Sequence, residues 1–236
     1  MRLDSYIFET NKLKSRTYAQ SLIKSGHVRV DGKIIFTCAF EVPDGANIEI
    51  MKVESFASAG GAKLEKAIKH FNIMVEGLSC IDLGCSNGGF TDCLLRHGAK
   101  SVLGVDVGEC ALDSDILNSG KVRFLRANAR ELLNYNLGEF DFLCADLSFI
   151  SLTLVMPAIY GLLKESGEAV LLIKPQFEVG KSGINKHGIV KDENQRLFAV
   201  DKIKNFAAAL GFTVKGTVEA PLVEAKNIEY LIYLKK

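Results

Sequence analysis

The alternation of strand-like and helical segments from residue 58 onward constrains the fold of this chain more than any other feature. Five short strand-like runs are separated by other segments, some of helical period, and they lie at residues 80–83, 101–107, 122–125, 140–147 and 169–174. Two of these runs are almost entirely apolar, which is typical of parallel strands covered on both faces. The alternation predicts an α/β fold, a Rossmann-like and mostly parallel sheet with helices on both sides.

The last part of the sequence departs from this alternation. A helical segment at residues 192–210 is closed by Gly211, and strand-like runs follow at residues 212–218 and 228–234 without a helical segment between them. Two strands joined in this way predict one antiparallel strand in the otherwise parallel sheet. Open sheets of this class bind ligands at the carboxyl ends of their strands, so residues at those ends are candidates for a functional site.

The first 50 residues carry shorter elements. Leu3, Tyr6 and Ile7 share one face of a first helix, Ser15 is a candidate N-cap of a second, and the pair Asp31-Gly32 indicates a hairpin turn. These patterns predict a small α+β domain ahead of the sheet domain. The predicted segments are a domain at residues 1–52, a linker at 53–59 and the sheet domain at 60–236.

Positive charge is concentrated in this first domain. The net charge of the chain is only +1, yet its first 40 residues hold seven basic and three acidic side chains. Arg16, Gln20 and Lys24 recur every four residues, so they line the side of the second helix opposite its apolar stripe, and Lys12 and Lys14 lie just before it. Such an excess favours phosphate binding, although an ordinary solvated helix face has the same pattern.

Cysteine spacing and hydropathy limit the class of protein. The six cysteines have no C-x-x-C spacing and several lie within apolar runs, so we expect reduced, structural thiols. The first residues lack the apolar core of a signal peptide. The longest apolar stretch, residues 152–163, is interrupted by Pro157, whereas a transmembrane helix needs about 20 apolar residues. We therefore expect a cytoplasmic protein without a membrane partner.

A glycine-rich loop follows the first strand of the sheet domain. Its sequence, Asp82-Leu83-Gly84-Cys85-Ser86-Asn87-Gly88-Gly89, lacks the G-x-G-x-x-G spacing of dinucleotide sites. An acid ahead of the first glycine suits a ligand that bears an ammonium group, such as S-adenosylmethionine. Asp106 ends the next strand and is placed to bind ribose hydroxyls, although NAD sites use such an aspartate too. A glycine-rich turn with incidental acids would share the pattern. The candidate cofactor residues are Asp82, Gly84, Ser86, Gly88, Gly89, Asp106, Val107, Asn128, Ala129 and Asp146.

Four charged residues are candidates for the chemistry. Asp146 ends the fourth strand, Lys174 ends the fifth, Glu229 opens the last strand and Lys63 begins the helix that enters the domain. A methyl group moves from a sulfonium to a ribose hydroxyl only if the hydroxyl proton is accepted or strongly hydrogen-bonded. Lys174 would serve as the base if burial and the nearby Lys63 cation favour its neutral form, and the two acids would hold the ammonium groups in place. Two alternatives stay open: Lys174 only orients the hydroxyl, or it forms a structural salt bridge to Asp146.

These residues also carry a family resemblance. Arg2-Leu3-Asp4 and Val30-Asp31-Gly32 resemble the S4-like RNA-binding domain, and Asp146-Leu147-Ser148-Phe149 and Lys174-Pro175-Gln176-Phe177-Glu178 are specific to one group of FtsJ-like enzymes. Over nearly its whole length the chain resembles the TlyA family, the haemolysin A group of bacterial rRNA 2′-O-methyltransferases. The resemblance implies S-adenosylmethionine as the cofactor, no metal, a monomer, and a ribosomal subunit as the partner. It carries the lysine–aspartate–lysine–glutamate tetrad of FtsJ-like enzymes onto the four residues named above.

The resemblance also indicates a substrate. It implies methylation of a cytidine ribose in large-subunit rRNA, in some members also in small-subunit rRNA. Arg2 and Arg16 match arginines that bind RNA in the family, and Arg126 and Arg130 occupy similarly basic positions. The sequence stops soon after Leu234 without the tail of longer members, which by analogy favours the large subunit alone.

Two departures from the family pattern bear on RNA contact. The family usually has Ser-Arg-Gly-Gly where this chain has Ser58-Ala59-Gly60-Gly61, and a lysine common after the first hairpin is replaced near Thr37. Neither departure changes the predicted reaction.

Other functions would each need, or lack, features that can be read from the sequence. A base-amine methyltransferase would need two prolines inside the segment Asp146-Leu147-Ser148-Phe149, and a cytosine C5 enzyme would need a nucleophile such as Cys144 in the cleft. A pore-forming haemolysin would need a membrane-length or amphipathic membrane segment. A non-catalytic RNA-binding factor would have no need of the four charged residues.

Overall fold

The chain folds into two compact units. The computed structural model describes residues 1–11, 13, 15–24, 26–51, 56–180, 183–221 and 227–236. The units comprise Met1–Ser55 and Phe56–Lys236. Residues 53–55 of the predicted linker lie outside the described residues, and its remaining residues, 56–59, belong to the second unit.

The first unit packs two helices on a small antiparallel sheet. Its elements are α1 (Leu3–Thr10), α2 (Arg16–Lys24), β1 (Val28–Val30), β2 (Lys33–Ile34) and β3 (Ile48–Ile50), and the strand order is β2-β1-β3. Ser15 caps α2 as predicted, because its hydroxyl accepts the backbone N–H of Tyr18 at 3.1 Å. Asp31 and Gly32 both have positive φ, 49° and 78°, which the tight turn between β1 and β2 requires. The predicted hairpin is therefore confirmed.

The second unit is built on a seven-stranded sheet. Its strands are β4 (Ser79–Leu83), β5 (Ser101–Asp106), β6 (Val122–Arg126), β7 (Phe140–Ala145), β8 (Leu163–Ile173), β9 (Thr213–Glu219) and β10 (Tyr230–Lys235). Their order is β6-β5-β4-β7-β8-β10-β9. Strands β4 to β8 are parallel, and β10 is antiparallel to both of its neighbours. The predicted mostly parallel sheet with one reversed strand is confirmed.

Helices cover both faces of this sheet. They are α3 (Gly60–Phe71), α4 (Gly89–Arg96), the short α5 (Ser114–Leu117), α6 (Met156–Leu162) and α7 (Glu193–Leu210). Cys80 and Phe142 point to the core shared with α3 and α4, whereas their neighbours Ile81 and Leu143 point to the core shared with α6 and α7. Because side chains alternate along a strand, both faces must be apolar, which explains the almost continuous apolar runs in the sequence.

The topology gathers several loops at one edge of the sheet. Strand order reverses at β4, since β5 lies on one side of it and β7 on the other, and such a switch point opens a crevice at the carboxyl ends of the strands. The reversed direction of β10 brings its first residue to that same edge, because Tyr230 pairs with Ile173 at the end of β8. Within the described ranges, no helix is both long and apolar enough to cross a bilayer.

Candidate active site

Four charged side chains form a chain of alternating sign at the crevice. Lys63 Nζ donates a hydrogen bond to Glu229 Oε2 at 2.6 Å and lies 3.8 Å from Asp146 Oδ2. Lys174 Nζ lies 2.7 Å from Asp146 Oδ1. The four side chains are only 11–22 % exposed, so each charge is partly removed from water and depends on its neighbour of opposite sign.

Each of these residues comes from a different element. Lys63 lies in the first turn of α3, Asp146 directly follows β7, Lys174 directly follows β8, and Glu229 directly precedes β10. The backbone N–H of Asp146 donates to the carbonyl of Leu83 at 3.0 Å, which extends the pairing of β7 with β4 by one residue. The four residues that the sequence predicted to meet are therefore brought together.

Ser148 is a site residue that sequence reasoning missed. Lys174 Nζ donates to its hydroxyl at 2.8 Å. An ammonium group has three N–H donors, so the hydrogen bond to Ser148 and the ion pair with Asp146 leave at least one that has no partner among the described residues. The sequence signal for Ser148 is its position two residues after Asp146, which directly follows β7.

Two adjoining cavities open beside these charges. The larger has a volume of about 430 Å³ and the smaller about 200 Å³, and the larger falls within the usual range for small-molecule sites. Lys174 lines the smaller cavity, and Asp146 and Ser148 line both. The predicted cofactor residues that line the larger cavity are Gly84, Ser86, Asp106, Val107, Asn128, Ala129 and Asp146.

Asp106 is held so that it can receive a ligand. One carboxylate oxygen accepts the backbone N–H of Ser86 at 3.0 Å, and the other accepts that of Gly108 at 2.9 Å. Each oxygen keeps further acceptor capacity, which suits the two hydroxyls of a ribose. Val107, Ala127 and Ile150 supply apolar surface to the same cavity, which suits a flat purine ring. These residues fit the nucleoside part of S-adenosylmethionine.

The glycine-rich loop approaches the acidic site closely. A Cβ atom on Gly84, whose φ is +79°, would lie 2.6 Å from the carbonyl oxygen of Asp146. Gly89 lines the smaller cavity and packs against the backbone of Gly60 and Gly61 at the start of α3. Gly88 lines neither cavity, since a Cβ there would face Ile116 and Leu112 instead.

Asp82 is fully buried beneath this loop and lines neither cavity. One carboxylate oxygen accepts the hydroxyl of Thr91 at 2.7 Å, and the other has no hydrogen-bond partner among the described residues. Burial raises the pKa of Asp82 to about 7, while hydrogen bonds from Thr91 and Cys144 oppose the rise. Contact between Asp82 and a cofactor stays a prediction.

The predicted RNA-binding arginines of the first unit converge on one acid. Arg2 lies 3.1 Å and Arg16 3.2 Å from Asp4, which has no exposed surface, while the two arginine side chains are 45 % and 50 % exposed. Gln20 donates to the same carboxylate at 2.8 Å. The hydrogen bond from Arg2 is the main reason that the pKa of Asp4 lies well below its usual range.

The other predicted RNA-binding residues divide into two groups. Lys24 is exposed at the end of α2, and Arg126 and Arg130 are exposed in the second unit, where they flank the cavity residues Asn128 and Ala129. Lys12 and Lys14 lie outside the described residues.

Replacement of Gly84 by alanine tests the close approach of the loop to Asp146. We expect Gly84→Ala to weaken binding of S-adenosylmethionine, the predicted cofactor, by about tenfold or more, because the new methyl group must displace Asp146. Isothermal titration calorimetry measures the affinity. Gly138→Ala is the matched control, because Gly138 also has a positive φ, +76°, but has nothing within 4 Å of its Cβ position. Unchanged affinity in Gly84→Ala would contradict the tight contact.

Burial of Asp82 predicts a pH-dependent stability. Its pKa is about 7 in the folded chain against an ordinary 3.8, so the folded state binds the proton more tightly than the unfolded state. This contribution is fully present below about pH 4 and is lost as pH rises through about 7. Relative to Asp82→Asn, the wild type should therefore lose free energy of unfolding between about pH 4 and 7, measured by urea denaturation. Asp201→Asn, at an exposed aspartate, is the control. A difference between wild type and Asp82→Asn that does not change with pH would contradict the prediction.

Comparison with known proteins identifies the family. The FtsJ-like methyltransferase profile matches residues 56–236 and the S4 domain profile matches residues 1–47. Hemolysin A of Brachyspira hyodysenteriae is 38 % identical over 99 % of both chains. The 16S/23S rRNA (cytidine-2′-O)-methyltransferase TlyA of Mycobacterium tuberculosis is 37 % identical over 99 % of this chain and 89 % of the relative. An S-adenosylmethionine-dependent methyltransferase of Mesorhizobium loti shares the sheet fold, with a TM-score of 0.53 at 18 % identity over 76 % of this chain and all of the other. The chain therefore belongs to the FtsJ-like methyltransferases and, among them, to the hemolysin A and TlyA family.

Proposed function

We propose that this methyltransferase transfers a methyl group from S-adenosylmethionine to the ribose 2′-hydroxyl of a cytidine in ribosomal RNA. The alternating chain of Glu229, Lys63, Asp146 and Lys174 beside the two cavities is the observation that carries the proposal. Large-subunit rRNA is the proposed main substrate. The name of the Mycobacterium tuberculosis relative supports the small subunit as a second one. A ribosomal substrate would place the enzyme in the cytoplasm.

The cofactor would occupy the larger cavity. Asp106 would accept hydrogen bonds from its ribose hydroxyls, and Val107, Ala127 and Ile150 would enclose its adenine. The close approach of Gly84 to Asp146 would leave room for the methionine part beside the acidic residues. When bound, S-adenosylmethionine supplies a methyl group on a positively charged sulfur, which is the electrophile of the reaction.

Lys174 is the proposed contact for the acceptor hydroxyl. Lys174 donates a hydrogen bond to Ser148 and forms an ion pair with Asp146, so at least one of its three N–H donors is available to hold the 2′-oxygen of the substrate. Holding that oxygen in line with the methyl group removes the entropy cost of alignment, which is a large part of the barrier for such a transfer. If Lys174 instead acts as the base, it would be a neutral amine, whose two N–H groups keep the contacts with Ser148 and Asp146 and whose lone pair accepts the hydroxyl proton.

Lys63 and Glu229 would support this arrangement. Lys63 holds Asp146 from the side opposite Lys174, and the hydrogen bond from Lys63 to Glu229 fixes the lysine in turn. Asp146 thus lies between two ammonium groups, which limits the rotamers of Asp146 and of both lysines. Their proposed role is to position Lys174 and to keep the charges of the site balanced.

Phe149 would bind the base of the target nucleotide. Its side chain is 91 % exposed, it lines the larger cavity, and its ring packs 5.3 Å from that of Phe177. Its φ of +65° costs free energy for a non-glycine residue, on the order of 1–3 kcal/mol, and such conformations cluster at functional sites. An exposed aromatic ring one residue after Ser148, the hydrogen-bond partner of Lys174, supports stacking on a base that has left its helix, worth about 1–3 kcal/mol.

The first unit would bind the surrounding rRNA. The match to the S4 domain and the half-exposed guanidinium groups of Arg2 and Arg16 support this role. Lys24 would add a phosphate contact, and Arg126 and Arg130 would do so beside the cofactor cavity. Because Asp4 neutralises only one of the two arginines, the cluster keeps the positive charge that phosphate binding needs.

Replacement of Lys174 tests the proposed reaction. We expect Lys174→Met to reduce methyl transfer to isolated ribosomal subunits by about 100-fold or more, because the acceptor oxygen loses its hydrogen-bond donor. Incorporation of labelled methyl into separated large and small subunits measures the rate and identifies the subunit. Lys164→Met is the matched control, since Lys164 also pairs with an aspartate at 2.7 Å, namely Asp141, which lies at the opposite end of β7 from Asp146.

Two results would contradict the proposal. One is a wild-type rate in Lys174→Met. The other is an absence of transfer to either subunit by wild-type enzyme that binds S-adenosylmethionine.

A further inference from the structure

A buried carboxylate links the two loops that carry the proposed acceptor site. Glu178 follows Lys174 by one short turn, and its side chain is only 1 % exposed. It lines neither cavity, so it has no place for substrate or cofactor contact. Its role must come from the groups that it binds.

Glu178 accepts hydrogen bonds from three donors in two segments, the loop at Ser151 and Leu152 and the helix α7. Oε2 accepts the hydroxyl of Ser151 at 2.6 Å, and Oε1 accepts the backbone N–H of Leu152 at 2.8 Å. Lys202 of α7 donates to Oε2 at 3.0 Å and to the backbone carbonyl of Glu178 at 3.0 Å. The ammonium group and the backbone N–H can only donate, and they use different oxygens, so a carboxylate satisfies both where an amide could satisfy one.

These contacts fix the loop that carries Ser148 and Phe149. The loop is held at its start by the hydrogen bond from Asp146 to Leu83, and at its end by the contacts of Ser151 and Leu152 with Glu178. Between those two points, Phe149 adopts its positive φ. A strained conformation persists only where the surroundings determine it, and Glu178 supplies one of the two fixed ends.

The same residue is rigidly connected to Lys174. The backbone N–H of Phe177 donates to the carbonyl of Lys174 at 2.9 Å, and that of Glu178 donates to Pro175 at 2.9 Å. The turn therefore gives Glu178 little freedom relative to Lys174. The Phe149 and Phe177 rings pack between the two loops at 5.3 Å.

We propose that Glu178 is a positioning residue for methyl transfer, which holds the Ser148 and Phe149 loop in register with Lys174 so that the acceptor ribose lies in line with the methyl group. The proposal rests on the function proposed above. It assigns Lys202 a supporting part, since its ammonium compensates the buried negative charge of Glu178.

Glu178→Gln tests this role with two independent readouts. The amide cannot accept from both Lys202 and the Leu152 N–H, and its oxygen should face Lys202, because an NH2 group there would meet an ammonium group. The Leu152 N–H then loses its acceptor, so hydrogen exchange at Leu152 should become about tenfold faster or more. In the same variant, kcat for methyl transfer to ribosomal subunits should fall on the order of 10- to 100-fold. The affinity for S-adenosylmethionine should stay within about twofold, because Glu178 lines neither cavity.

Asp141→Asn is the matched control. Asp141 also accepts a lysine at 2.7 Å, from Lys164, and a backbone N–H at 2.9 Å, from Ser79, but it lies at the opposite end of β7 from Asp146. Its replacement should leave both kcat and exchange at Leu152 unchanged. If Glu178→Gln does not fold, Ser151→Ala removes one of the three donors to the carboxylate and should change both readouts in the same direction.

The two readouts separate the possible failures. Faster exchange with an unchanged kcat, or an equal fall of kcat in Asp141→Asn, would overturn the positioning role. The hydrogen bonds from Ser151, Leu152 and Lys202 to Glu178 form the clamp that this proposal requires. Unchanged exchange in a folded Glu178→Gln would show that this clamp does not hold the loop. A wild-type enzyme that modifies no rRNA would contradict the proposed function, and with it the catalytic part of this inference, while the exchange data would still test the clamp.

Discussion

The position of Asp146 between two lysines is the interaction on which the site depends. Without this carboxylate, Lys63 and Lys174 would be two like charges at less than a quarter exposure, and removal of one partner from a buried pair typically costs about 3–5 kcal/mol. Asp146 in turn lies where it does because Gly84 has no side chain and because its own N–H continues the ladder to Leu83. The cofactor loop and the acceptor site are thus fixed by the same backbone contact.

Much of the fold could be predicted because it follows from periodicity. Alternating apolar runs and helices determine a parallel sheet, and the missing helix before the last strand determines its reversal. The start of β8 was not predicted: the sequence indicated residue 169, whereas the strand begins at Leu163. Its first residue, Leu163, is buried and pairs with Phe140 across a register shift, but residues 164–166 are polar and exposed, so no continuous apolar pattern marks the start of the strand.

The tetrad could be predicted because parallel strands end at one edge, whatever the loops do beyond it. The hydrogen-bond partners of these residues could not be predicted from the sequence. Two contacts depend on the path of the loop through Phe149: the hydrogen bond from Lys174 to Ser148 and the clamp made by Glu178. The positive φ of Phe149 determines that path, and neither hydrophobic periodicity nor motif spacing indicates it. The burial of Asp82 could not be predicted either. Its spacing from the glycines predicts a place in the cofactor loop, whereas its burial depends on how α4 packs over it.

The central claim about this enzyme is that it places the methyl group on a ribose oxygen of cytidine and not on a base. Complete digestion of rRNA methylated by the enzyme, followed by mass spectrometry of the nucleosides, tests this claim most directly, since cleavage of the glycosidic bond separates sugar from base. The account predicts that the added methyl mass stays on the sugar fragment of cytidine. A methyl group on the base fragment, or on another nucleoside, would contradict it.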